Sequence, residues 1–119
     1  MKYLCLVYLE PATMAALSPS EGATLTQDCI AYDKDLARRG HYIVSDALEP
    51  TTTARSVRVR RGKAITTDGP FAETKEVLGG FILINASSMD EAIDIAAKIP
   101  MAKHGTIEVR PIMTITANP

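Results

Sequence analysis

An excess of positive charge is missing from this sequence. Thirteen Lys and Arg stand against fourteen Asp and Glu, a net charge of −1. A general nucleic-acid binder needs a basic face to displace counterions, so no direct nucleic-acid partner is expected. Cysteine is scarce too. Cys5 and Cys29 both sit in apolar runs, and neither belongs to a CxxC or Cys/His array. They read as free, buried thiols, because Cys packs as a small hydrophobe, and no metal site is expected. No segment approaches the roughly 18 apolar residues that would span a bilayer, so no membrane partner is expected. No secretory leader is visible either: Lys2 precedes a short apolar run that ends at Glu10 and Pro11. The default compartment is the reducing cytoplasm. Zinc patterns, phosphate loops, nucleotide fingerprints and Gly-x-Ser-x-Gly elbows are all missing, so no cofactor is expected.

What is present fits one domain over residues 1–119, large enough to bury a core without staples. "MKYLCLVYLE" reads as a strand apolar on both faces, with Tyr3, Cys5 and Val7 on one side and Leu4, Leu6 and Tyr8 on the other. Such a strand must be covered on both sides. "SPSEGATLTQDCIAYDKDLARRG" carries helix signals at each end. Ser18 and Glu21 have capping-box spacing, Pro19 suits the first helical position, and Gly40 supplies a left-handed stop. Leu25, Cys29, Tyr32 and Leu36 form one apolar stripe.

A short strand, "HYIVSDAL", follows, and then a hairpin, "SVRVRRGKAITT", turning at Gly62. "GGFILINA" is a second strand apolar on both faces. "SSMDEAIDIAAKIP" is a helix with Ser88 and Glu91 in capping-box spacing, stopped by Pro100. "GTIEVRPIMTI" closes the chain as a strand in which Pro111 implies an edge or a bulge. The order predicts an α+β fold, a ferredoxin-like βαββαβ unit with an inserted β-hairpin. Two helices cover one sheet face only. The other needs a cover, and a second copy is the simplest one, so a homodimer with face-to-face sheets is expected.

The stretch "DGPFAETKEVLGGF" resembles the DGPF-domain branch of the YCII-related proteins. "MKYLCLVY", "SVRVRRGKAITTDGPFAETKE" and "AAKIPMAKHGTIEVRPI" are similar to that family in the same order, so the resemblance covers nearly the whole chain. It implies a dimeric α/β barrel and an uncharacterised function. Members similar to this one are often encoded near, or fused to, sigma factors of the extracytoplasmic-function type. Better-studied YCII proteins carry a proposed dyad, a His on the first helix and an Asp before a Pro after the second helix. The matching positions here are near Cys29 and at Ile99, so the resemblance brings no dyad to this chain.

The remaining candidates are ionisable groups. Asp68-Gly69-Pro70 makes a turn that can hold Asp68 at the mouth of a cleft, with Phe71 plugging the core. Glu73, Lys75 and Glu76 crowd the loop that follows, and a Lys between carboxylates can have its proton affinity tuned where water is excluded. Asp68, Lys75 and Glu76 are therefore the candidate acid/base set. Arg58, Arg60, Glu108 and Arg110 each alternate with apolar neighbours, so they can share one sheet side and line a polar cavity with Glu73 at its lip. Arginine forks in such a cavity suit a small polar or anionic molecule. His41 and His104 read as surface or packed residues. The function expected is metabolite binding near the DGPF loop, with acid/base catalysis possible. The alternative is a non-catalytic ligand-binding or protein-interaction module tied to sigma-factor-dependent transcription.

Overall fold

Alternating apolar residues in the first run do form a strand. β1, Lys2–Leu9, lies inside a four-stranded sheet in a computed structural model that describes residues 1–116. A five-residue helix, α1 (Pro11–Ala15), and the long helix α2 (Pro19–Arg38) lead to β2, Tyr42–Ala47. The hairpin strands β3 (Arg55–Arg60) and β4 (Lys63–Asp68) come next. Then follow β5 (Val77–Asn85), α3 (Met89–Ala97) and β6 (Gly105–Pro111). The sheet order is β2-β5-β1-β6, with every neighbouring pair antiparallel. Leaving the hairpin aside, this is a βαββαβ unit. β6 is an edge strand, which is where Pro111 can sit without breaking a ladder.

The caps explain the helix limits. Ser18 Oγ accepts from the Glu21 N–H at 3.1 Å, and the Glu21 carboxylate accepts from the Ser18 N–H at 2.9 Å. At the other end of α2, Gly40 has φ +82°, its N–H donates to Ala37 O at 3.1 Å, and the His41 N–H donates to Leu36 O at 2.8 Å. That pair of bonds is a Schellman stop. α3 departs from expectation in one detail. Ser88 Oγ does accept from the Glu91 N–H, but the Glu91 carboxylate reaches the Ser87 N–H instead of that of Ser88. The box is therefore open by one residue. The short α1 carries no cap or periodic signal that would have revealed it.

The core lies between the helices and one face of the sheet. Tyr3, Cys5, Ile82 and Ile84 come from the strands, Leu36 from α2, and Ala92, Ile95 and Ala96 from α3. Burying a side chain of this size is worth about 1.5–3 kcal/mol. Cys5 is fully buried, and burial pushes its thiol up to about 11. Cys29, expected to be equally buried, is only half-buried. The opposite sheet face carries Leu4, Leu6 and Leu83, all half-exposed. The molecule is 19 Å thick, which is one sheet plus one helix layer, so no part of the described chain covers that face. No helix among the described residues is long and apolar enough to cross a membrane.

The hairpin forms its own two-stranded sheet. Arg61 and Gly62 both have positive φ, the type I′ geometry that fits a two-residue hairpin loop. The Gly69 N–H donates to Ala54 O and Ser56 Oγ donates to Gly69 O, both at 2.8 Å. The DGPF turn is thus bolted to the base of the hairpin. Phe71, expected to plug the core, is instead 81% exposed.

Candidate functional site

The stripe on α2 does not close onto the sheet along its whole length. Leu36 is fully buried, but Leu25, Cys29 and Tyr32 are half-buried and Ile30 is exposed. Between this stretch of α2 and the sheet lies a groove of about 900 Å³. Leu17, Leu25 and Cys29 line it from the helical side, Val7 and Ile82 from the sheet, and Met101 from the turn after α3. That volume and apolar lining are usual for a small-molecule site.

One polar chain borders the groove. Ser45 Oγ donates to Asp33 Oδ2 at 2.7 Å, and Tyr42 OH lies 2.9 Å from Ser45 Oγ. Ser45 has one hydroxyl proton, already given to Asp33, so Tyr42 is the donor to Ser45. The Cys29 thiol is pushed up by burial first, and then by the charges of Asp33 and Asp28. It is therefore a poor nucleophile at neutral pH. Burial also pushes Tyr32 up, while its hydroxyl donates to Ile95 O at 2.7 Å. Asp33 and Ser45 were missed in the sequence. Their only signal was position: Asp33 follows Tyr32 on the stripe, and Ser45 interrupts the β2 apolar run.

The residues singled out from the sequence lie elsewhere. Asp68 is almost fully exposed and pairs with Arg55 at 3.1 Å. Glu73 is exposed. Lys75 does not sit between Glu73 and Glu76 as an enclosed group; it is exposed and stands 3.9 Å from Glu10. The Glu76 carboxylate accepts from Thr106 Oγ1 at 3.0 Å. Glu108 and Arg110 pair at 3.8 Å, opposite Leu6 and Leu4 on the bare sheet face. Arg58 and Arg60 are exposed on the hairpin, a different sheet. The expectation that strand alternation gathers Arg58, Arg60, Glu108 and Arg110 on one sheet side is corrected here, because alternation fixes faces only within one sheet. Within a single chain these groups do not line the groove. His41 packs its ring against Asn85 O, with Nδ1 at 2.9 Å. Among the described residues, no group of three His, Cys, Asp or Glu is placed to hold a metal ion.

Comparison with known proteins supplies the family. The YCII-related domain profile matches residues 1–116. This chain belongs to the YCII-related family. An uncharacterised protein of Rhizobium meliloti (strain 1021) is 39% identical over 114 residues, which is 94% of this chain and 92% of that protein. Among solved structures, the fold is similar to 5-chloro-2-hydroxyhydroquinone dehydrochlorinase from Burkholderia phenoliruptrix AC1100, in complex with 2,5-dihydroxybenzoquinone. The TM-score is 0.55 at 16% identity, covering 95% of this chain and 94% of the other. That likeness is one of fold. In this YCII-related chain Cys29 and Ile99 both line the groove.

Proposed function

We propose that this protein binds a small molecule in the groove between α2 and the four-stranded sheet. The observation that carries the reading is the groove itself: about 900 Å³, largely apolar, and bordered by the Tyr42–Ser45–Asp33 hydrogen-bond chain. The dehydrochlorinase of similar fold was captured with a small cyclic ligand, which agrees with a ligand-binding use of this architecture. Among the described residues the groove lining has no His, and the Cys29 thiol is held protonated, so binding is better supported than catalysis. The test is a thermal-shift screen against metabolites, since a ligand of the native state raises the midpoint. Ile30 is exposed and lines the groove, so Ile30→Trp fills it without touching the core. Hits lost in Ile30→Trp support the groove. Hits kept in Ile30→Trp and lost in Arg110→Ala or Glu76→Ala contradict it.

A second reading rests on the bare sheet face. Its half-exposed leucines lie beside Glu76, Glu108 and Arg110. A homodimer that packs these faces together would enclose those charges, and the partner's hairpin could bring Arg58 and Arg60 near them. Such a cleft suits a small polar or anionic ligand, with Asp68, Glu73 and Lys75 at its rim and Asp68, Lys75 and Glu76 as the acid/base set. The DGPF branch and a cytoplasmic location belong with this reading, as does a link to sigma-factor-dependent transcription.

A further inference from the structure

An inventory of donors and acceptors narrows what the groove can hold, given that the groove is the binding site proposed above. The charged residues on its lining are Asp33 and Asp46, both acidic; no Lys, Arg or His among the described residues lines it. Three of its hydroxyl donors are already committed. Ser45 donates to Asp33, Tyr32 donates to Ile95 O, and Thr26 donates to Gly22 O at 3.1 Å. Ser18 Oγ accepts from the Glu21 N–H and pairs with Ser20 Oγ. At the start of α2, the Ser18 N–H is taken by Glu21, the Gly22 N–H by Ser18 O, and Pro19 has none. Two carboxylates remain as acceptors, Asp46, which is exposed, and Asp33, which is half-buried. Asp33 uses Oδ2 for Ser45, and its Oδ1 has no partner among the described residues. Asp33 also takes part in no ion pair among the described residues, although it is half-buried.

We infer that the groove takes a ligand that brings its own proton donor, namely a protonated amine carried on an apolar body. The ammonium group lies against Asp33 Oδ1, and the apolar body runs along Leu25, Cys29 and Ile82 toward Met101. An anion meets two acidic residues and, among the described residues, no Lys, Arg or His to offset its charge. A neutral hydrocarbon fills the apolar part and leaves the half-buried carboxylate unpaired, which is the costly outcome. A neutral alcohol gives Asp33 one hydrogen bond in which only the acceptor is charged, whereas with the amine both partners are, so the alcohol ranks between.

The experiment is a titration followed by two-dimensional NMR, using three ligands of one shape: 4-phenylbutylamine, 4-phenylbutan-1-ol and 4-phenylbutyrate. The expected order is amine, then alcohol, then carboxylate. The amine should lead the carboxylate by roughly tenfold or more, as a charge-assisted bond implies, with shifts centred on Cys29, Asp33 and Ile82. In Asp33→Asn the lead of the amine over the alcohol disappears. The wild-type order stands without the variant if that variant fails to fold. Equal or tighter binding of the carboxylate, with shifts still in the groove, overturns the ligand class and leaves the site. An amine lead that persists in a folded Asp33→Asn also overturns it. No groove shifts with any of the three overturns both.

Discussion

The two faces of the four-stranded sheet are nearly equal in sequence and unequal in structure. On one, Tyr3, Cys5, Ile82 and Ile84 meet α2 and α3 and are buried. On the other, Leu4, Leu6 and Leu83 are half-exposed, next to Glu108 and Arg110. Both faces are apolar enough to need covering, but the chain supplies helices for only one. The covered face is itself divided: it is packed solid near Leu36 and open near Leu25. A solid half gives stability, and an open half gives room for a ligand. A homodimer, as proposed above, would seat its second copy on the bare face.

The largest stability effect should come from the solid half. Leu36→Ala removes a fully buried side chain and is expected to cost about 2–5 kcal/mol in denaturant unfolding. A cost below that of a surface change would mean that α2 is not seated as described. On the bare face, Leu6→Glu should act on association. Sedimentation should find a dimer for the wild type at micromolar concentration and a monomer for the variant, with a loss of about 1.5–3 kcal/mol per covered side chain. A monomeric wild type would make the two faces unequal by design and remove the dimer.

Smaller effects separate local from tertiary structure. Ser18→Ala breaks the α2 capping box and should cost about 1 kcal/mol. The Glu21 carboxyl is lowered by its bond from the Ser18 backbone N–H first, and then by that with the Ser18 side chain. Its contribution is therefore present above the ordinary carboxylate range and is lost as pH falls through the lowered value. Acid titration of stability should flatten slightly in Ser18→Ala. Smallest of all, Phe71→Ala should stay within about 0.5 kcal/mol, since the ring is exposed. A loss of several kcal/mol there would mean that Phe71 is covered in the working protein, and the bare face is then where to look.

What could be read in the sequence was what neighbouring residues decide together. The Ser18–Glu21 cap, the Gly40 stop and the turn at Gly62 each depend on a few consecutive residues, and each appeared where the sequence placed it. The βαββαβ order followed from those pieces. The site was less legible because it depends on distance between elements. Leu25 and Cys29 belong to a regular apolar stripe, and nothing in the stripe says that its first half stands clear of the sheet. Arg58 and Arg60 alternate as a strand should, but alternation does not say which sheet the strand joins. Asp33 and Ser45 are twelve residues apart and meet only because α2 folds back over β2.

The most direct test of the account is a crystallographic soak of the protein with 4-phenylbutylamine and, separately, with sulfate. The account predicts density for the amine between α2 and the sheet, with nitrogen within hydrogen-bond distance of Asp33, and no sulfate in that groove. Sulfate seated in the groove, or the amine found only beside the 68–76 loop with the groove empty, would contradict it.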